Sequence, residues 1–243
     1  MHASSGIGSA LFMTDPSVQL RMFFGHQSVG ADLVQGLHEI ADEPVPQITE
    51  EFRGEPAADW LLAHRRVGRN EAPKTKLAEF ESLLASGALR HFDTVMLKFC
   101  YVDVRTEEQA NDLFQAYDEF VERARHNHPS VRIAHCTIPL RRLPSGPYAF
   151  LRRMLGHRHP EIDANRAREQ FNHRMRAQYR NEPIFDLARL EATQPHLSGT
   201  PVRQSQVPSL LAQYTDDGGH LNARGRSVMG KAFLQFMRML GGR

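Results

Sequence analysis

Three residues of this chain have the types and spacing that activate a hydroxyl group. Ser28 lies in GHQSVG (25–30), directly after the apolar run LRMFF (20–24), and Asp217 and His220 stand three residues apart in TDDGGHLNARG (215–225). A serine hydroxyl is a weak nucleophile until a base removes its proton, and a histidine base works best when a carboxylate fixes its tautomer and steadies the imidazolium. One glycine-containing turn offers both the base and the carboxylate, and Ser28 is the part that would complete them. Taken singly, each has a plainer use. A serine after a strand is most often a turn former or helix cap, TDDGG is a good turn in which Asp216 can cap or be solvated, and a lone histidine there is a surface residue. The joint pattern is what points to nucleophilic chemistry.

These residues need a frame that brings the first strand close to the last helix. Apolar runs of strand length at 20–24, 46–52, 93–99, 131–140 and 183–188 alternate with segments of helical period at 29–42, 74–86, 106–128, 162–180 and 222–240. Thr106, followed by acidic residues, reads as an N-cap. Strands separated by helices of this length imply right-handed crossovers and a parallel sheet covered on both faces. The expected class is therefore α/β, a three-layer α/β/α sandwich of flavodoxin-like type with about five parallel strands. Residues 1–243 are expected to form a single domain, with 1–18 as an irregular N-terminal extension. The least regular stretches, 53–73, 141–160 and 191–219, are long for a compact domain, and ligands gather outside the carboxyl ends of such sheets.

Composition excludes several classes. With 30 basic and 28 acidic residues, the chain is too balanced to advertise a nucleic-acid partner, although LRRLPSGPYAFLRRMLGHRH (140–159) is locally basic and reads as a solvated loop. No run reaches the ~18–20 apolar residues of a membrane span. The first residues lack the basic region of a signal peptide, and compartment stays open. Cys100 and Cys136 sit in no metal-ligand spacing and read as buried thiols, while HNH (126–128) and HRH (157–159) lack a third ligand. No metal and no cofactor are expected. A phosphate or nucleotide site at the helix after GHQSVG would leave Asp217 and His220 unexplained, and no GxGxxG or GxxxxGK[ST] stretch supports it.

The order of a serine after the first strand and Asp-x-x-His before a C-terminal helix resembles the SGNH (GDSL-like) hydrolase superfamily. DGGHLNARG is similar to that family's final block, and FFGHQSVG, more loosely, to its first, with Gly25 and Ser28 separated by two residues rather than one. The resemblance implies a metal-independent serine esterase: Ser28 as nucleophile, His220 as base and Asp217 as its orienter. Its implied substrate is a small acyl ester, such as an acetyl ester of a carbohydrate. The family's oxyanion hole combines the nucleophile's own N–H with a glycine N–H and an asparagine amide. Here the candidates are Ser28 itself, Gly54 in FRGEP or Gly68 in RVGRN, and Asn70 or the Tyr101 phenol. The usual Gly-x-Asn-Asp is replaced by KFCYVD (98–103), and an ionised Asp103 has no proton to donate. His26, Gln27, Cys100 and Asp103 are expected to line the substrate pocket. The alternative is a non-catalytic, ligand-binding protein that has lost the oxyanion amide.

Overall fold

The computed structural model describes residues 18–40, 42–50, 58–147, 151, 154–156, 159–193 and 207–242. Six strands form one all-parallel sheet: β1 Leu20–His26, β2 Gln47–Thr49, β3 Trp60–Arg66, β4 Thr94–Leu97, β5 Arg132–Cys136 and β6 Ile184–Phe185, in the order β2-β3-β1-β4-β5-β6. The flanking helices are α1 Ser28–His38, α2 Pro73–Ala85, α3 Glu107–Asn127, α4 Pro160–Gln178, α5 Leu187–Ala192 and α6 Ala223–Gly241. Thr106 caps α3, its hydroxyl accepting the Gln109 N–H at 3.2 Å.

Alternation along the strands builds the two cores. Phe23, Ala63, Val95 and Leu97 face one side, against Phe80 of α2, Tyr117 and Phe120 of α3 and Phe171 of α4. Met22, Phe24, Leu62, Met96 and Ala134 face the other, against Leu33 and Leu37 of α1 and Phe233, Leu234 and Met237 of α6. Successive side chains of a strand point to opposite faces, so a central strand covered on both must be apolar throughout. This is the α/β/α sandwich expected from the sequence, with six strands rather than five. The additional strand is β3, within a stretch read as irregular. Trp60, Leu61, Leu62 and Ala63 are all buried, which removes the period-two signal, and the strand then ends in the exposed pair Arg65 and Arg66.

The strand expected over 131–140 stops at Cys136. Pro139 has no N–H to give to a ladder, and side chains take over the backbone beyond it. Asn172 Oδ1 accepts the Ile138 N–H at 2.7 Å, and Glu191 Oε2 accepts the Leu140 N–H at 2.6 Å. Glu191 is wholly buried, and its Oε1 has no hydrogen-bond partner among the described residues. Burial pushes this carboxyl up to about 8, against the opposing pull of the Leu140 N–H and the charges of Lys98 and Arg168. A folded pKa above the unfolded one means that the native state holds the extra proton. Stability therefore falls as pH rises from the ordinary glutamate value of 4.5 to about 8. Glu191→Gln, a mimic of the protonated acid, is expected to melt with wild type near the bottom of this window and progressively above it toward the top. Thermal melts across the window check this, and a gap that does not grow with pH would refute it.

Helices α1 and α6 touch through glycine. A Cβ on Gly36 would lie 2.4 Å from the Arg226 carbonyl oxygen, and one on Gly230 would lie 2.7 Å from the Gly36 carbonyl carbon. Only bare backbone fits at this crossing. The contact fixes the helix that begins with Ser28 against the helix that follows His220.

Candidate active site

Gln27 is the single residue between the end of β1 and the first turn of α1. Its backbone is extended, and its side-chain amide donates to the carbonyls of Val67 and Gly68, both at 2.9 Å. Ser28 is thereby held at the first helical position, where the backbone N–H has no carbonyl partner within the helix and points outward. Its hydroxyl is half-buried, at the carboxyl end of the central strand.

The turn before α6 delivers the other two residues. Asp217 Oδ1 accepts the N–H groups of Gly219 and His220, each at 2.8 Å, which closes the turn on its own carboxylate. Its Oδ2 lies 2.6 Å from His220 Nδ1, and His220 Nε2 lies 3.1 Å from Ser28 Oγ. The carboxylate assigns the proton to Nδ1, leaving the Nε2 lone pair facing the hydroxyl. What burial Asp217 has would raise its pKa. The His220 ring and the two N–H groups outweigh that and hold the carboxyl below the usual range, so it stays ionised through mildly acidic pH.

Tyr101, in the turn after β4, places its ring edge-on to His220 with centroids 6.0 Å apart. The Arg141 guanidinium lies 5.3 Å from the Tyr101 ring centroid, and Arg168 Nε donates to the Tyr101 carbonyl at 2.7 Å. Burial raises the Tyr101 phenol, which therefore keeps its proton as a possible donor. Cys100 is buried, with its Sγ 4.0 Å from Ser28 Oγ.

Several residues expected at the site have other work. His26 points inward: its Nε2 lies 3.0 Å from His64 Nδ1 and its Nδ1 lies 2.8 Å from the Gln27 carbonyl, and burial pushes its pKa down to about 3. It is a neutral internal hydrogen bonder rather than a pocket wall. Asp103 is likewise internal. Its Oδ2 accepts the Cys100 N–H at 2.7 Å and the Lys76 ammonium, and its Oδ1 accepts the Glu71 N–H at 3.0 Å. The Gly68 N–H is spent on Glu79 Oε2 at 2.8 Å, so it is no oxyanion donor in this arrangement. Gly54 lies outside the described residues. Asn70 is exposed, and its Oδ1 accepts from Lys76 Nζ at 3.1 Å.

Lys76 and Asp32 lie outside the sequence motifs, yet Lys76 pairs with Asp103 and Asp32 holds the Leu221 N–H. Lys76 shows no signal in a helix of mixed polarity. Asp32 carried one, since it lies four residues after Ser28 and so on the same face of α1.

The sheet order and the layers define a three-layer α/β/α fold with an all-parallel sheet. No protein-family model and no curated protein matches the chain. Solved structures do. A protein from Streptococcus pneumonia, provisionally described as a platelet activating factor, is 12% identical over 92% of this chain and 86% of its own, with a TM-score of 0.52, a likeness of fold. A provisionally described lipolytic protein of the G-D-S-L family from Desulfitobacterium hafniense DCB-2 is 10% identical over 89% of this chain and 99% of its own, with a TM-score of 0.49. The inhibitor-bound M. Smegmatis aryl esterase is 12% identical over 91% of this chain and 99% of its own, with a TM-score of 0.48. Among the described residues no helix is long and apolar enough to cross a membrane.

Proposed function

We propose that this chain is a serine esterase of SGNH type that hydrolyses a small acyl ester, such as an acetyl ester of a carbohydrate, through an acyl-enzyme on Ser28. The observation that supports it is the unbroken chain from Asp217 Oδ2 to His220 Nδ1, 2.6 Å, and from His220 Nε2 to Ser28 Oγ, 3.1 Å. In this reading His220 takes the Ser28 proton as Oγ bonds to the ester carbonyl carbon. The tetrahedral oxyanion collapses, and the imidazolium gives that proton to the departing alcohol. Water then attacks the acyl-enzyme with His220 again as base, releasing the acid and returning the proton to Ser28. Asp217 holds the imidazole and offsets its transient charge.

For the oxyanion, the Ser28 N–H at the start of α1 supplies one donor. We assign the second to the Asn70 amide, because the Lys76 ammonium on Oδ1 fixes that carboxamide and Asp103 ties Lys76 to the backbone of Cys100. A donor of this kind is worth about 10²–10³ in kcat.

The consumed N–H groups of Gly68 and Cys100 favour a second reading, a binding protein with a cleft but without turnover. One experiment separates the two: incubation with a serine-directed fluorophosphonate, peptide mapping of the adduct, and a parallel assay on a short-chain activated ester. The esterase reading expects a single adduct on Ser28 together with hydrolysis. No adduct and no turnover above background would leave the binding reading standing.

A further inference from the structure

Helix α1 carries a second functional group on the face that bears Ser28. Asp32 lies one turn further along, and its Oδ2 accepts the backbone N–H of Leu221 at 3.0 Å. Leu221 directly follows His220. One helical turn therefore meets this segment at two points, the His220 imidazole at Ser28 and the Leu221 N–H at Asp32. Asp217 meets the His220 ring from the Nδ1 side, whereas Asp32 holds the backbone of the next residue, so the two carboxylates act from different elements.

The surroundings of Asp32 are unusual for a loop anchor. Burial pushes its carboxyl up, while the Leu221 N–H, interaction with His220 and the charges of Lys98 and Arg226 pull it down. Lys98, just past β4, is itself wholly buried, and its ammonium donates to the Phe99 carbonyl at 3.1 Å. The charged and titratable groups that bear on this corner are Asp32 on α1, Lys98 after β4, Tyr101 in the following turn, Glu191 on α5, Asp217 on the base's own turn and Arg226 on α6.

We propose that Asp32 is a positioning residue for the Ser28–His220 pair: its bond to Leu221 sets where the imidazole stands over the hydroxyl, and its charge steadies the imidazolium. This rests on the esterase reading for its kinetic consequence but not for its geometry. A neutral anchor would serve the first role as well as a carboxylate does. Only the charge serves the second, and two substitutions separate them. Asp32→Asn keeps an oxygen for the Leu221 N–H and removes the charge. Asp32→Ala removes both.

The test follows the His220 ring by proton NMR across pH in wild type and both variants, alongside steady-state kinetics and thermal melts. Loss of a nearby negative charge favours the neutral imidazole, so the His220 midpoint is expected to fall by about half a pH unit in both variants. The acidic limb of kcat/KM should move the same way. Small displacements at a reacting centre are costly, so Asp32→Ala is expected to lose about tenfold or more in kcat with KM within about twofold, and Asp32→Asn to recover to within about threefold. A purely structural anchor would leave the midpoint unmoved. Wild-type midpoints in both variants with wild-type kcat in Asp32→Ala would overturn the proposal. Should Asp32→Ala not fold, Asp32→Asn decides by its midpoint. If wild type turns over no ester, the esterase reading fails by itself and the NMR titration still judges whether Asp32 acts on His220.

Discussion

Ser28→Ala is expected to lower kcat on a short-chain activated ester by at least about 10³-fold, and His220→Ala by a similar factor, because each removes a part without which the other does nothing. The double variant should be no slower than either single one. That non-additivity is the signature of one proton-transfer unit, and two independent contributions would multiply instead. Asp217→Asn should fall short of both losses, since the base survives with its tautomer misassigned. In this protein it carries an added cost, because the same carboxylate accepts the Gly219 and His220 N–H groups that shape the turn. Far-UV circular dichroism and the melting temperature separate that structural loss from the chemical one. As Asp217 is held below the usual carboxylate range, its orienting charge persists as the medium is acidified. Steady-state rates with the active fraction counted by fluorophosphonate titration provide the check. Equal rates for wild type and Ser28→Ala would remove Ser28 from the mechanism.

That Ser28, His220 and Asp217 meet was legible in the sequence because their pattern is local. Asp217 and His220 share one turn, and Ser28 sits where a strand gives way to a helix, so the class of fold was enough to suggest that the two ends meet. What joins them was not legible. The Gly36–Gly230 crossing, the Asp32–Leu221 bond and the Gln27 clamp on Val67 and Gly68 are contacts between segments distant in sequence, and no local pattern encodes them. Strand β3 was missed for a related reason: burial on both faces erased its alternation, and the arginines at its end look like a loop. His26 and Asp103 were misplaced because polar residues at strand ends suggest a cleft, whereas both are buried with dedicated partners, His64 and Lys76. Residue type alone does not tell a satisfied buried polar group from one that waits for a ligand.

Lys76→Met should be the most damaging substitution for stability away from the apolar core. The side chains of Lys76 and Asp103 are both wholly inaccessible to solvent, and Asp103 also accepts from the backbones of Cys100 and Glu71. Removing the ammonium leaves a carboxylate buried with only two N–H groups to face it, a change that costs about 3–5 kcal/mol. In a chain of this size that corresponds to a fall of about 10 °C in Tm. Lys76→Met/Asp103→Asn removes the uncompensated charge and keeps an acceptor for one of those two N–H groups, and should recover part of the loss. A Tm within about a degree of wild type for Lys76→Met alone would show that the pair is not the anchor described here. The double variant then tests what the pair is for. Asn70 depends on Lys76 for the bond that fixes its amide, so if that amide serves the oxyanion, Tm should rise partway back while kcat stays low by about 10²-fold. Recovery of both would assign the ion pair to the fold alone and pass the second oxyanion donor to Tyr101, whose phenol retains its proton and whose ring already meets His220.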